Sequence, residues 1–335
     1  MIWFIFALVC VMGWGFADLF YKKGAEGGGS NQTASGSSGG SGGGSGDDRY
    51  SHLKQAVWVG LVMGVCAFIL LPFSETKFDI AALIKNAFLY SPASLCYIIS
   101  MVIGYAGLRY LELSIVSPVQ NASGAFSMIA MLIFFAVRGT FSKVWESIGT
   151  LDIIGTALIT AALIALAIVE KRMDDALAAN RKYRLGVKAL AFPLLYCLFD
   201  TIGTAADGII LDEEAGLGLG EIDVIILYGL TFLLAGIIVW IFLYIKTKKV
   251  YNPFAKSEGA KAAGALCEQF GQIFYVYAMA ANPVLAAPMV AGYCVISVLL
   301  SRIFLKEKLT KWQYACIFTV IAGILLLGIS EGLAA

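Results

Sequence analysis

Residues 277–314 read YAMAANPVLAAPMVAGYCVISVLLSRIFLKEKLTKWQY, and a degraded copy of this stretch begins about half a chain earlier. The earlier copy starts at Tyr105 and reads YAGLRYLELSIVSPVQNASGAFSMIAMLIFF. Tyr105 corresponds to Tyr277, and after a two-residue gap Pro118 corresponds to Pro288. These matches indicate a duplication, with one copy in each half of the chain.

The composition is that of a membrane protein. Of 335 residues, 59% are apolar and 14% are charged, a balance that would leave large apolar patches on a soluble domain. A spanning helix needs about 20 mostly apolar residues, and long runs without strict alternation predict helices rather than barrel strands. The sequence contains ten such runs, at about residues 2–22, 55–73, 90–108, 115–137, 148–169, 186–206, 222–245, 259–281, 284–305 and 311–330. We therefore expect an all-α integral membrane protein with ten transmembrane helices.

Several function classes lack support in the sequence. The net charge of +1 argues against binding to nucleic acid, which requires a clustered basic face. No phosphate loop, Ser/His/Asp set or metal-ligand spacing is present, and the seven cysteines lie inside apolar runs without paired spacings. We expect neither an enzyme nor a bound cofactor or metal.

The loops predict the topology. The Gly/Ser-rich residues 24–48 predict a flexible coil, residues 78–85 a short interfacial segment, and the polar residues 170–188 a linker between two five-helix units. We expect these units at residues 1–170 and 185–335. Most Lys and Arg residues fall in alternate loops, and the positive-inside rule then puts both termini outside the cell (plasma) membrane.

The duplication and the helix count together predict inverted repeats. Five is an odd number, so the second unit must enter the membrane from the opposite side. Inverted repeats with a site at their interface are typical of secondary transporters that work by alternating access.

The second half also resembles a known family. The residues that carry the likeness are LSRIFLKEKLTKWQY at 300–314, with Glu307-Lys308-Leu309-Thr310 at its centre, and VIAGILLLG at 320–328. They resemble the drug/metabolite transporter superfamily, and within it the ten-helix EamA-type permeases. The first-half copy lacks the acidic residue, reading RGTFS at 138–142. The resemblance implies a solute permease with a central cavity.

Charged residues inside predicted spans are costly and mark candidate functional sites. Alignment of helix 1 with helix 6 matches Trp14 and Asp18 with Tyr196 and Asp200. Each pair is separated by four residues, so the ring and the carboxylate share one helix face. The alternative for Asp18 is a structural ion pair with Lys22, four residues on.

A second carboxylate stripe lies on helix 8. Glu268, Gln272 and Tyr275 share one helix face, which must look into the bundle, either onto a cavity or onto neighbouring helices as hydrogen-bonding glue. We expect Asp207 at the membrane surface, and Pro118 and Pro288 in the first turns of their helices, where proline costs least.

Together these residues predict an acidic and aromatic cavity. The candidate substrate-binding residues are Trp14, Asp18, Tyr97, Gln120, Asn121, Tyr196, Asp200, Glu268, Gln272, Tyr275 and Tyr293. Carboxylates beside aromatic rings favour a cation, so the first hypothesis is a permease for a cationic or zwitterionic amine, such as a choline-like compound or an amino acid. Protons are the candidate coupling ion. The alternatives are an exporter of neutral metabolites or drugs, and a non-transporting receptor or assembly subunit.

Overall fold

The computed structural model describes residues 2–26, 50–75, 79–140, 148–177, 191–212 and 216–334, together with Ser142 and Trp145. The regular structure in these residues is helical. Eight segments are long and apolar enough to cross a membrane. The helices Thr150–Leu177 and Gly259–Ala281 raise the number of long segments to ten. The prediction of an all-helical membrane protein is therefore confirmed.

Short breaks divide two of the ten segments, so the described ranges contain twelve α-helices. In chain order they are α1 (Ile2–Glu26), α2 (Ser51–Leu70), α3 (Ile80–Gly107), α4 (Leu113–Asn121), α5 (Ser123–Arg138), α6 (Thr150–Leu177), α7 (Ala191–Ile210), α8 (Glu221–Thr247), α9 (Gly259–Ala281), α10 (Pro283–Ala291), α11 (Tyr293–Leu300) and α12 (Lys311–Ala334). A 3₁₀ turn, Leu71–Phe73, follows α2, and a π-helical turn, Ser301–Leu305, extends α11.

Three helices run into segments that the sequence assigned to loops. Residues 24–26 form the end of α1, and residues 80–85 form the first turns of α3, not a separate interfacial segment. Asp79 explains the early start of α3, because its carboxylate accepts hydrogen bonds from the first free amides of the helix. The helix α6 continues to Leu177, inside the predicted linker. The rest of the Gly/Ser coil and of the linker lies outside the described residues.

The two broken segments have the same internal pattern. The helices α4 and α10 are each nine residues long, and Pro118 and Pro288 each stand sixth. The expectation that these prolines lie in first turns is therefore wrong. A proline ring displaces the carbonyl one turn earlier and lacks an amide hydrogen, and in both segments the helix is interrupted soon after it, at Ala122 and at Gly292.

The helices pack in pairs drawn from different halves of the chain. α1 packs against α9, α3 against α7, α2 against α8 and α6 against α12. Glycines allow helices of these pairs to approach closely. A Cβ atom added to Gly60 of α2 would lie 3.0 Å from the Cα atom of Gly236 in α8, and one added to Gly155 of α6 would lie 2.9 Å from the carbonyl oxygen of Gly323 in α12. Small residues at contacts are how membrane helices gain van der Waals packing.

Candidate functional site

A cavity of about 60 Å³ lies at the centre of the bundle, where helices of both halves meet. All eleven candidate residues line it: Trp14, Asp18, Tyr97, Gln120, Asn121, Tyr196, Asp200, Glu268, Gln272, Tyr275 and Tyr293. The polar faces of α1, α4, α7 and α9 thus converge on one space and are not scattered among separate helix contacts. That the residues bind a substrate remains a prediction.

Asp18 is held by two serine hydroxyls. Its Oδ2 atom accepts hydrogen bonds from the Oγ atoms of Ser117 and Ser297, each at 2.7 Å. Ser117 belongs to α4 and Ser297 to α11, so the carboxylate joins three helices. These bonds account for one oxygen of a nearly buried carboxylate, and they come from hydroxyl groups that carry no charge.

Asp200 has a similar partner. Its Oδ2 atom accepts a hydrogen bond from the Oγ atom of Ser123, the first residue of α5, at 2.6 Å. Ser127, one turn further on, donates to the carbonyl oxygens of Ser123 and Thr201. The break between α4 and α5 therefore lies between two serines that bind the aspartates. Ser117, before the break, binds Asp18, and Ser123, after it, binds Asp200.

The third carboxylate, Glu268, lies on α9 opposite α1. Its Oε2 atom accepts a hydrogen bond from the hydroxyl of Tyr21 at 3.4 Å, and its carbonyl oxygen accepts one from the indole of Trp14 at 3.2 Å. The ring of Tyr21 also lies 4.9 Å from that of Tyr105. Glu268 is thus hydrogen-bonded to α1 through both its side chain and its backbone.

Aromatic rings form much of the remaining wall. The ring of Trp14 lies 5.0 Å from that of Tyr275 and 5.5 Å from that of Tyr293. The hydroxyls of Tyr97 and Tyr275 are 2.6 Å apart, and the Tyr97 hydroxyl also donates to Thr204 at 3.2 Å. Contact distances of this order are those of stacked and edge-to-face aromatic pairs.

Glycines seat the two aromatic residues that precede the aspartates. A Cβ atom on Gly271 of α9 would collide with the indole of Trp14, and one on Gly104 of α3 would lie 2.7 Å from the ring of Tyr196. The two ring–aspartate pairs are thus matched by two ring–glycine contacts, each of which joins one half to the other. Sequence alignment identifies the first correspondence, and the second is visible only in three dimensions.

Two amide groups in the wall have no partner within the described residues. These are the Nε2 atoms of Gln120 and Gln272, both buried. Buried donors without partners are rare in native proteins, and at the edge of a cavity they indicate positions where water or a ligand can accept a hydrogen bond.

The structure adds residues that the sequence did not single out for binding. They are Tyr21, Met101, Gly104, Tyr105, Leu108, Ser123, Gly124, Thr204, Tyr228, Ala287, Val290 and Ala291. Helical spacing could have found two of them, because Tyr21 stands three residues after Asp18 and Thr204 four residues after Asp200. Tyr228 lies in a continuous apolar run and gives no such signal.

Asp207 is not at the surface. Its side chain is fully buried, and its Oδ1 atom accepts a hydrogen bond from the hydroxyl of Tyr90 at 2.9 Å. The surface expectation is wrong because α7 continues to Ile210, past the predicted end at residue 206, so that Asp207 still lies within the bundle. Neither Asp207 nor Tyr90 lines the central cavity.

Polar contacts hold the segment between α3 and α4, which contributes Leu108 to the cavity lining. The Nζ atom of Lys22 donates to the carbonyl oxygens of Leu108 and Leu111, at 2.9 and 2.8 Å. The carboxylate of Glu307 accepts hydrogen bonds from the amides of Leu113 and Ser114, the first residues of α4. Glu307 is the acidic residue of the 307–310 motif, and it acts here as a helix cap.

The charge of the lining has one sign. Asp18, Asp200 and Glu268 contribute carboxylates, and the described residues of the lining include no Lys or Arg. No group of three or more His, Cys, Asp or Glu residues with the geometry of a metal site occurs in the part of the chain that the structure describes.

Comparison with known proteins gives a family-model match to part of the chain and a fold match to a solved structure. Residues 215–329 match the model of the EamA-like transporter family, a segment that contains Tyr228, Glu268, Gln272, Tyr275 and Tyr293 of the cavity. No curated protein matches the sequence. A solved structure described only as "Crystal structure of protein" has a TM-score of 0.53 and 10% sequence identity, and the match covers 96% of each chain. At that identity the likeness shows the fold alone.

Proposed function

We propose, from the premise that the chain is a multi-pass membrane transporter of the drug/metabolite transporter superfamily, that its solute is a small organic cation or zwitterion carrying an amine. The observation that carries this proposal is the set of three carboxylates at one cavity, among aromatic rings and without a basic residue in its described lining.

Charge and dielectric both favour a cation here. Ionised carboxylates removed from water are costly unless they are paired, and hydroxyl donors offset only part of that cost at Asp18 and Asp200. A bound cation would pair with the remaining charge. The faces of Trp14, Tyr275 and Tyr293 would add cation–π attraction, which is strongest for tryptophan and for desolvated cations.

The small size of the cavity points to movement during transport. A volume of about 60 Å³ has room for a few water molecules, and we infer that helices move apart to admit an organic solute. The contacts that must part include the hydroxyl pair Tyr97–Tyr275 and the bonds that Lys22 and Glu307 make to the segment before α4. We infer that alternating access operates by breaking such contacts in turn.

Inverted five-helix repeats would supply the two alternating states. If each helix is replaced by its counterpart in the other half, the α1–α9 pair becomes the α7–α3 pair, whereas the α2–α8 and α6–α12 pairs stay the same. All four pairs are in contact. The matched breaks after Pro118 and Pro288 give further support. Buried carboxylates can bind and release protons during a transport cycle, and we propose protons as the coupling ion.

The proposal is tested with a pair of ligands that differ only in charge. Choline and 3,3-dimethylbutan-1-ol have the same shape, but only choline is a cation. We expect choline-type amines to raise the melting temperature of the purified protein and to enter proteoliposomes, and the neutral alcohol to do neither. Stabilisation by neutral or anionic metabolites alone would overturn the amine assignment, and amine binding without flux would favour a receptor or an assembly subunit.

A further inference from the structure

A second cavity lies on the lipid-facing side of the bundle, away from the central one. It is formed by α5, α6 and α10, and its volume is about 440 Å³. This volume is within the size range of ligand pockets. Its apolar wall includes Met128 and Leu132 of α5 and Val284 and Leu285 of α10. Ile153 of α6, another lining residue, is 42% exposed, so the cavity opens towards the surface that the membrane covers.

Three polar side chains interrupt this apolar wall. Asp152, Thr156 and Thr160 stand on one face of α6 at intervals of four residues, and all three line the cavity. The Oδ1 atom of Asp152 and the Oγ1 atoms of both threonines are buried and have no hydrogen-bond partner within the described part of the chain. Asp152 is 6% and Thr156 is 5% exposed.

The threonines are unusual within this protein. A threonine in a membrane helix commonly satisfies its hydroxyl on the carbonyl four residues earlier, and Thr201, Thr247 and Thr319 all do so at 2.7 to 2.9 Å. Thr156 and Thr160 do not. Their buried hydroxyls therefore lack the intrahelical acceptor that the other three threonines have.

The order of these groups along α6 matches the order of groups in a phospholipid. Asp152 lies in the first turn of the helix, and the two threonines lie about 6 Å and 12 Å further along the axis. An anionic acceptor therefore stands at the end of the membrane span, hydroxyl donors come next, and an apolar wall surrounds them. A phospholipid of this kind presents an ammonium group, then a phosphate, then ester carbonyl oxygens, then acyl chains, so hydrogen-bond acceptors follow the ammonium group as the hydroxyl donors follow Asp152.

We propose that this cavity binds one bilayer phospholipid with a primary ammonium headgroup, of the phosphatidylethanolamine type. The ammonium N–H groups donate to Oδ1 of Asp152, and the hydroxyls of Thr156 and Thr160 donate to the phosphate and ester carbonyl oxygens that follow it. The acyl chains pack against the apolar wall. The site is separate from the proposed solute cavity, and it does not depend on which solute is transported.

The headgroup requirement gives a sharp test. Phosphatidylcholine carries the same charge but has no N–H donor. The full chain is reconstituted in vesicles of phosphatidylethanolamine and phosphatidylglycerol, or of phosphatidylcholine and phosphatidylglycerol, at equal ratios. After extraction into detergent, retained lipids are counted by native mass spectrometry. We expect one retained ethanolamine lipid per chain and about tenfold less retention of the choline lipid, the ratio that the loss of one charge-assisted hydrogen bond produces.

Two variants and one control complete the experiment. Asp152 accepts a hydrogen bond from the Gly149 amide at 2.8 Å, and Asp152→Asn keeps an oxygen that can accept it. The substitution removes the negative charge, so lipid retention should fall about tenfold. Ala157→Phe fills the cavity from its wall and leaves Asp152 intact, and it should abolish retention. The control is Thr319→Val, because the hydroxyl of Thr319 is hydrogen-bonded within α12. This substitution should leave lipid retention unchanged. Equal retention of the two lipids, or retention unaffected by both variants, would overturn the proposal, whatever solute the protein moves.

Discussion

The hydroxyl oxygens of Tyr97 and Tyr275 lie 2.6 Å apart and join α3 of the first half to α9 of the second. Both side chains are buried, at 5% and 2% exposure. A hydrogen bond between two buried hydroxyls across the central cavity holds the halves together where a solute would have to pass.

The first prediction concerns the strength of this bond. Tyr97→Phe and Tyr275→Phe should each lower the free energy of unfolding by about 0.5–1.5 kcal/mol, the net contribution of one hydrogen bond. The double variant should lose less than the sum, because the second substitution removes no further bond between the two residues. Denaturation of the four proteins in one detergent measures the coupling. Strict additivity would show that the hydroxyls do not interact in solution.

The second prediction concerns the glycines that seat the cavity rings. Gly271→Ala would force Trp14 to move, and Gly104→Ala would do the same to Tyr196. Overpacking of this kind costs about 1–3 kcal/mol, so both variants should melt at lower temperature and transport more slowly. Gly332→Ala is the matched control, since nothing lies within 4 Å of the added Cβ atom. Unchanged melting temperatures for the two cavity variants would contradict the contact.

Much of this arrangement could be predicted from the sequence, because membrane insertion imposes a simple rule. Polar groups inside a span must face protein or a cavity, so helical spacing alone predicts that the stripe of Glu268, Gln272 and Tyr275 faces inward. The internal duplication pairs Asp18 with Asp200. These two arguments account for most of the eleven candidate residues, and the fold brings all eleven to one cavity.

The features that could not be predicted from the sequence depend on where helices end and on packing between distant segments. Asp207 was misplaced because apolarity alone does not show where a helix stops, and α7 ends four residues later than predicted. The serine partners of Asp18 lie 99 and 279 residues away in the sequence, a separation that no local spacing rule detects. Thr156 and Thr160 look like ordinary span residues until the missing hydrogen bonds are seen.

The third prediction concerns the buried pair Tyr90 and Asp207. Asp207→Leu leaves the Tyr90 hydroxyl without its acceptor and should cost about 1–3 kcal/mol of stability, whereas Tyr90→Phe combined with Asp207→Leu should recover much of that loss, since an apolar pair leaves no unpaired polar group. Thermal unfolding checks both. Amine binding should weaken less than about tenfold in the double variant, because neither residue lines the cavity and Asp207 reaches it only through its contact with Tyr275. A double variant less stable than Asp207→Leu would be incompatible with the pairing.

The fourth prediction concerns the motif residue Glu307. Its carboxylate caps α4 through the amides of Leu113 and Ser114, at 3.1 and 2.9 Å. Loss of a cap costs about 0.5–2 kcal/mol, so Glu307→Ala should lower the melting temperature and increase hydrogen exchange at the amides of residues 113 and 114. Lys308→Ala, at the exposed neighbouring position, is the control. Exchange that is the same in both variants would rule out the cap.

The last prediction separates charge from packing at the cavity. Asp18→Asn, Asp200→Asn and Glu268→Gln preserve the size of each side chain and its ability to accept a hydrogen bond, but remove one negative charge. If an amine is the solute, its affinity should fall about tenfold in each variant, because one of the negative charges that attract the cation is lost. Binding of the neutral isostere should be equally weak in the wild-type protein and in the three variants, since it carries no charge that the carboxylates could attract.

Asp79→Asn is the control for this series. Asp79 is exposed and caps α3 through the amides of Ala81 and Ala82, and asparagine caps a helix as well as aspartate does. Amine affinity and stability should both match the wild-type protein. Isothermal titration of choline and of 3,3-dimethylbutan-1-ol against the four variants distinguishes the possibilities. If the affinity for the cation is unchanged in all three cavity variants, charge pairing does not contribute to binding. The rings of Trp14, Tyr275 and Tyr293 would then be the remaining basis for selecting an amine.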